Sequence, residues 1–201
     1  MRPGLAWLLL AASSGPVWPA PAPAPAPAPA NAGATASTGI LSELPAEWRD
    51  DLGHSLRLDS LRGERVIFTM AYASCHKVCP LTMQHLQQLQ QELDARGSAA
   101  HFVIVGYDPD ADDPQAWHQF RTRRQLTRAN WLFLSGRNAQ QVHAFAARLG
   151  FDYWKYDQHV IHDGRVVVVD PQGRLQLSFG PGAELDAAAI GADPNGDTRG
   201  S

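Results

Sequence analysis

Two kinds of hydrophobic pattern alternate along the chain from about residue 51. The first kind is a short, nearly continuous apolar run of strand length, which is typical of strands buried on both faces. Such runs occupy residues 66–72, 101–106, 131–134 and 165–169. Leu56 and Leu58 alternate with polar residues and predict one more short strand, which a turn at Arg62 and Gly63 separates from the first run.

The second kind of pattern is helical. Between the strands, apolar residues recur three or four positions apart, which predicts amphipathic helices. One predicted helix starts at Pro80 and ends near Gly97, and two others cover residues 112–126 and 138–149. Proline is tolerated in the first turn of a helix, because its missing N–H would be unpaired there in any case. After the last apolar run, a turn at residues 170–173 followed by residues 174–179 predicts a β-hairpin.

The order of these elements predicts the fold class. Strands and helices alternate three times before the final hairpin, which favours an α/β fold with helices on both faces of a mixed sheet. The simplest such arrangement is a thioredoxin-like mixed β-sheet flanked by helices, with a C-terminal β-hairpin. Residues 43–192 provide enough chain for one hydrophobic core and predict a single domain. Residues 193–201 are rich in glycine and polar residues and predict a flexible tail.

The first 42 residues differ in composition from the rest of the chain. After Arg2 the next charged residue is Glu43, and eight of the 15 prolines lie in this segment. A basic residue followed by a short apolar stretch predicts a signal peptide or an N-terminal anchor over residues 1–19, and residues 20–42 predict an extended Ala/Pro-rich linker. We expect an exported, periplasmic domain, soluble or tethered to a membrane. The alternative is an apolar tail on a cytoplasmic protein.

Charge and composition exclude several classes of function. The 201-residue chain has 17 Lys and Arg against 20 Asp and Glu, a formal net charge of −3. This balance disfavours nucleic acid as a partner. No run of about 18 apolar residues occurs, which excludes an ordinary transmembrane helix. The sequence also contains no glycine-rich phosphate loop and no Gly-x-Ser-x-Gly element.

Two cysteines are the main candidates for chemistry. Cys75 and Cys79 lie at the junction of a predicted buried strand and a predicted helix. Unpaired N–H groups at a helix N-terminus favour thiolates, which are good nucleophiles and metal ligands. Two thiolates at this spacing can chelate one soft ion, and copper(I) suits them better than zinc, which normally takes four ligands. A third ligand is then required. The alternative is an inert disulfide that braces the turn.

Four sequence elements accompany these cysteines. They are Cys-x-x-x-Cys-Pro at residues 75–80, Leu-Arg-Gly at 61–63, Val-Gly-Tyr-Asp-Pro at 105–109, and His162 nine residues before Pro171. Together, over residues 51–179, they resemble the Sco or SenC family, which are thioredoxin-fold copper chaperones for cytochrome c oxidase. Unlike many members of that family, this chain has Ile161 rather than Asp before the histidine.

The resemblance implies a site, a cofactor and a partner. It places copper, as copper(I) or copper(II), on Cys75, Cys79 and His162. It implies that the protein delivers copper to the copper-binding subunit of cytochrome c oxidase or to another copper protein, or reduces the cysteines of that site. A thiol–disulfide reductant is a further candidate partner, and a membrane is close by if the N-terminal segment is an anchor.

Two other functions would use the same cysteines. In a metal-free thiol–disulfide oxidoreductase, Cys75 would attack and Cys79 would resolve the mixed disulfide. Such an activity would survive the loss of His162. A redox or copper sensor would instead signal through a partner that contacts the surface of the chain.

Two further histidines lie close to the candidate ligands. His76, inside the cysteine loop, could be an auxiliary ligand, a cation that stabilises a thiolate, or a solvated side chain. His159 is three residues before His162, so in an extended strand the two imidazoles point to opposite faces and only one can face the cysteines. The Asp163-Gly164 turn places His162 at a strand end and favours it as the ligand.

The remaining polar and aromatic clusters are expected to be structural. The acidic residues around Pro109 are Asp108, Asp110, Asp112 and Asp113. They lack the glycine and the terminal glutamate of a calcium-binding loop, so we expect a solvated loop that caps a helix. Trp117, Trp131 and Trp154 are expected to pack in or near the core, although Trp154 could instead form an apolar lip for a partner.

Overall fold

The computed structural model describes residues 39–74, 79–156 and 159–192. The helices are α1 (Ile40–Glu43), α2 (Cys79–Ala95), α3 (Pro114–Arg123), α4 (Ala139–Leu149) and α5 (Ala187–Gly191), with a 3-10 helix at Leu58–Leu61. The strands are β1 (Glu47–Arg49), β2 (Ser55–Arg57), β3 (Val66–Ala71), β4 (His101–Gly106), β5 (Trp131–Leu134), β6 (Tyr153–Tyr156), β7 (His159–His162), β8 (Val166–Val169) and β9 (Leu175–Phe179).

A five-stranded mixed sheet forms the centre of the fold, in the order β5-β4-β3-β8-β9. Strands β3, β4 and β5 are parallel, whereas β8 runs antiparallel to β3 and to β9. The mixed sheet and the hairpin of β8 and β9 confirm the predicted fold class. In the register of β3 and β4, Ala71 pairs with Gly106, so both strands end at the same edge of the sheet. The segment that contains Cys75 follows β3, and the acidic loop around Pro109 follows β4, so both begin at that edge.

Two hydrophobic clusters cover the two faces of this sheet. All six residues of β3 are buried, and successive residues alternate between the clusters, with Ile67 in one and Phe68 in the other. Helices α2, α3 and α5 supply the first cluster, while α1 and α4 supply the second. Burial on both faces explains why the strands are continuous apolar runs in the sequence.

The third helix is shorter than predicted. Instead of residues 112–126 it spans Pro114–Arg123. Its first turn is capped by Asp113, whose Oδ1 accepts a hydrogen bond from the N–H of Ala116 at 2.7 Å. Just beyond its other end, Gln125 has a φ of 55°, a left-handed conformation that an α-helix does not contain. Asp112, predicted to be part of the helix, lies outside it.

The three tryptophans differ in environment. Trp117 and Trp131 are buried, as predicted. Trp154 is 56% exposed, so its expected place in or near the core was wrong. It lies in β6, which pairs with β7 in a two-stranded sheet, and one face of so small a sheet stays open to solvent.

The predicted terminal segments lie mostly outside the described residues. This holds for the signal peptide or anchor at 1–19, for most of the linker at 20–42 and for the tail at 193–201. Within the linker range, Ile40 and Leu41 form part of α1 and are buried against the second cluster. No helix among the residues that the structure describes is long and apolar enough to cross a membrane.

A glycine at the end of β4 allows close packing against the acidic loop. A Cβ at Gly106 would lie 2.6 Å from the Cβ of Asp112, whereas a Cβ at Gly180 would meet nothing within 4 Å. We expect Gly106→Ala to lower the free energy of unfolding by about 1 to 3 kcal/mol, because the buried neighbour has no free space into which to move. Gly180→Ala is the control and should change it by less than about 0.5 kcal/mol. Urea unfolding measures both, and equal effects would contradict this account.

Candidate metal centre

The cysteine segment joins the end of β3 to the start of α2, as predicted. Strand β3 ends at Ala71, and α2 begins at Cys79. Cys75 and His76 lie outside the described residues, and so does the side chain of Cys79. The structure therefore places the two ends of the segment, at a junction where a helix N-terminus follows a buried strand.

His162 lies beside the beginning of that segment. It is the last residue of β7, and its half-buried ring contacts two tyrosines that follow strand ends. The ring centroid is 5.9 Å from that of Tyr72, three residues before Cys75, and 4.8 Å from that of Tyr107, just after β4. The candidate third ligand is thus packed against the residue from which the chain proceeds to the cysteines.

One hydrogen bond assigns the tautomer of His162. Its Nδ1 lies 2.9 Å from the carbonyl oxygen of Asp163. Because a carbonyl oxygen only accepts, Nδ1 must carry the hydrogen in this bond. In the neutral ring the lone pair is then on Nε2, which is the state that a metal-binding imidazole needs.

The turn after His162 is itself anchored by several groups. The carbonyl oxygen of Asp163 also accepts a hydrogen bond from the hydroxyl of Tyr107 at 3.3 Å. The N–H of Asp163 donates to the carbonyl of Asp152 at 3.0 Å. The carboxylate of Asp163 pairs with Nε of Arg165 at 2.8 Å. These contacts hold the carbonyl that orients the imidazole, so the ring is fixed through the backbone as well as through packing.

A cavity of about 180 Å³ lies between His162 and the first turns of α2. One wall is formed by Leu81, Thr82 and His85, and residues 180–183 and Leu185 form another part of the lining. His162 therefore faces the same space as the helix that begins at Cys79. His85 also lies on this space, although the sequence gives it no role.

His162 and Ile161 lie on opposite faces of the β6–β7 hairpin. His162 pairs with the half-buried Tyr153, and Ile161 pairs with Trp154. Ile161 and Trp154 are 41% and 56% exposed, so one face of the hairpin is solvated and the other faces inward. The extended conformation assumed for these residues is confirmed. The side chain of His159 lies outside the described ones, so its exclusion as a ligand stays a prediction.

The acidic loop after β4 contains a buried carboxylate, which corrects the expectation of a solvated loop. Asp112 is fully buried. Its Oδ1 accepts the N–H of Ala73 at 2.7 Å, and its Oδ2 accepts the N–H of Asp108 at 2.9 Å. Burial raises the pKa of the Asp112 carboxyl to about 6, because desolvation outweighs these hydrogen bonds. Asp113 caps α3 as predicted.

The described residues contain no ready-made metal cluster. Among them, no group of three or more His, Cys, Asp or Glu side chains could hold a metal ion. A site that includes Cys75 falls outside that part of the chain. The sequence did not indicate the aromatic and hydrogen-bonding partners of His162 and Asp112. Tyr72 and Tyr107 could have been found from their positions directly after two adjacent parallel strands.

Comparison with known proteins assigns the family. The chain has a thioredoxin-like fold with a cysteine pair between a central strand and the helix that follows it. The SCO1/SenC family model matches residues 46–195, and the chain belongs to this family. The resemblance seen in the sequence is thereby confirmed.

Individual relatives agree with this assignment. The SCO1 protein homolog of Bacillus subtilis is 26% identical over 138 residues, which cover 67% of this chain and 72% of the relative. The solved structure of BsSco, a Sco-family cytochrome c oxidase assembly protein with a disulfide switch, has a TM-score of 0.61 and 25% identity, covering 69% of this chain and 82% of that one. Copper-bound ScoI of Arabidopsis thaliana has a TM-score of 0.63 and 18% identity, covering 73% and 92%. The last similarity concerns the fold alone.

The buried carboxylate predicts an unusual dependence of stability on pH. The folded state binds the proton of Asp112 more tightly than the unfolded state, whose pKa is about 4. The resulting stabilisation is complete below pH 4 and is lost as the pH rises through about 6. We expect the difference in unfolding free energy between the protein and Asp112→Asn to grow by roughly 1 to 2 kcal/mol from pH 7 to 4.5.

Urea unfolding at a series of pH values measures this difference. Asp110→Asn is the control, because Asp110 is exposed in the same loop and its removal should give a much flatter dependence. A difference between the protein and Asp112→Asn that stays constant between pH 4.5 and 7 would contradict the assignment of the proton to Asp112.

Proposed function

We propose that the protein is a copper-binding metallochaperone that holds copper through Cys75, Cys79 and His162 and delivers it to the copper site of cytochrome c oxidase. The observation that carries this proposal is the position of His162. Its ring is packed against Tyr72 at the start of the cysteine segment, and its Nε2 carries the lone pair. Membership of the SCO1/SenC family supports the same donor set.

The chemistry of these donors suits copper as a cargo. Two thiolates provide soft ligands for copper(I), and an imidazole nitrogen is a good ligand for copper(II) as well. The helix N-terminus at Cys79 favours thiolates, because its free N–H groups stabilise negative charge. Three donors do not fill a four-coordinate site, so a donor from the receiving protein can bind the ion before the chaperone releases it.

The surroundings of His162 serve this role by holding the imidazole in place. The rings of Tyr72 and Tyr107 cover it, and the Asp163 carbonyl fixes its tautomer. A preoriented ligand loses little conformational entropy when the ion binds, which raises affinity without further contacts. Delivery then depends on competition from the receiving site and not on loosening of the imidazole.

Substitution of the two β7 histidines tests the ligand set. We expect His162→Ala to weaken copper(II) binding by tenfold or more, about 1.4 kcal/mol per decade, and to abolish the thiolate-to-copper absorption. His159→Ala should have little effect, and His54→Ala, at an exposed surface position, is the control. Titration of reduced protein against a competing chelator gives the affinities. The reverse ranking would move the ligand to His159, and no effect from either would favour a metal-free oxidoreductase.

The redox state of the cysteines provides a second test. A disulfide between Cys75 and Cys79 removes the thiolates that make the site soft, so oxidised protein should stay nearly free of copper while reduced protein binds one equivalent. Metal analysis after gel filtration measures the occupancy of both forms.

Two variants make this test specific. The double variant Cys75→Ser, Cys79→Ser should bind no copper under either reducing or oxidising conditions. His76→Ala is the control within the loop and should change affinity far less than loss of either cysteine. Equal copper occupancy in the reduced and fully oxidised protein would refute the proposed site.

A further inference from the structure

The buried carboxylate of Asp112 connects two loops that leave the same edge of the sheet. Its Oδ1 accepts the N–H of Ala73, which lies between the end of β3 and Cys75. Its Oδ2 accepts the N–H of Asp108, which follows β4. One side chain therefore holds the first residues of the cysteine segment against the neighbouring loop.

Backbone contacts fix Asp112 itself. The N–H of Asp112 donates to the carbonyl of Asp108 at 2.6 Å. The carbonyl of Asp112 accepts a hydrogen bond at 2.5 Å from the hydroxyl of Ser135, the residue just after β5. The backbone of Gly106 also approaches Asp112 closely, since a Cβ added at Gly106 would lie 2.6 Å from that of Asp112. The ends of β3, β4 and β5 are thus joined through a single residue.

The position of this carboxylate is costly. None of the ion pairs between described residues involves Asp112, and its raised pKa reflects the cost of burying a charge with no cation beside it. A buried carboxylate whose hydrogen bonds are made holds the groups that it binds in a fixed geometry. Here those groups are two main-chain N–H donors, one of them two residues before Cys75.

Tyr72 connects this arrangement to the imidazole. On one side of it, the carbonyl of Ala71 accepts the N–H of Tyr107 at 3.1 Å, and on the other side Ala73 is held by Asp112. With both neighbours fixed, the Tyr72 ring is kept in its edge-to-face contact with His162. The same restraint therefore acts on the approach to Cys75 and on the packing of the candidate histidine ligand.

We propose that Asp112 is a positioning residue for the cysteine segment. Its carboxylate sets the direction in which the chain leaves β3, at a point two residues before Cys75. Asp112 binds no copper itself. The effect on copper rests on the proposed function, whereas the effect on the geometry of the thiols does not.

The test compares Asp112→Asn with Asp110→Asn, an exposed position in the same loop. Asparagine keeps one carbonyl acceptor, so one of the two N–H bonds is lost. We expect copper(II) binding to weaken by about tenfold or more, as for other groups that orient metal ligands without touching the metal. The thiolate-to-copper absorption band should also shift. Asp110→Asn should change the affinity by less than about twofold.

A measurement without metal separates this proposal from the proposed function. In reduced, copper-free protein, the ratio of the alkylation rates of Cys75 and Cys79 with iodoacetamide should change by at least about threefold in Asp112→Asn, because thiol reactivity depends on local surroundings. If wild-type protein binds no copper while this ratio still changes, the copper function fails and the positioning role stands.

Two results would overturn the positioning role. One is an Asp112→Asn protein that is less stable but keeps the wild-type affinity, absorption band and alkylation ratio within twofold. The other comes from wild-type protein and decides the case if the variant does not fold. The Ala73 amide should exchange its hydrogen about a hundredfold more slowly than an open loop does, and unprotected exchange would show that no such restraint exists.

Discussion

Ala71 pairs with Gly106 at the point where the parallel strands β3 and β4 end, and the candidate site depends on this register. Because both strands point the same way, the segments that follow them leave the sheet side by side. The cysteine segment follows β3, and the loop with Tyr107 and Asp112 follows β4. A shift of one residue would turn the alternating side chains of β3 to the wrong clusters, so the packing of the core maintains the register that the site requires.

At the edge where β3 and β4 end, aromatic packing and hydrogen bonds determine different features of the structure. The rings of Tyr72 and Tyr107 surround His162, and such aromatic contacts favour a small set of relative orientations. Hydrogen bonds then define what packing cannot, namely which nitrogen of the ring is free and in which direction the backbone leaves β3. Asp112 makes two hydrogen bonds to backbone N–H groups in a place where its charge is unfavourable. Burial of the charge lowers the stability of the fold, whereas the two bonds keep the loop ordered.

The sequence predicted the central sheet well and its surroundings less well. Strands β4 and β5 have the predicted bounds, because a run buried on both faces is apolar throughout. The β6–β7 hairpin was not predicted as a pair, because its solvated face carries the apolar residues Trp154 and Ile161, so polar and apolar positions do not alternate. Asp112 could not be told from its acidic neighbours, because its burial results from contacts with Ala73 and Ser135, which are distant in sequence. The family motifs indicated Cys75, Cys79 and His162 but not the groups that contact His162.

Besides its contact with Tyr72, the imidazole of the proposed site has anchors of its own. His162 is held by the Asp163 carbonyl, which Tyr107 also contacts, and by the salt bridge of Asp163 with Arg165. These anchors do not involve the cysteines. Formation of a disulfide in the segment between β3 and α2 would therefore remove two donors and leave the imidazole in place. In the proposed site, thiol oxidation alone would then change the donor set, because reduction restores two thiolates while the anchors of the imidazole stay unchanged.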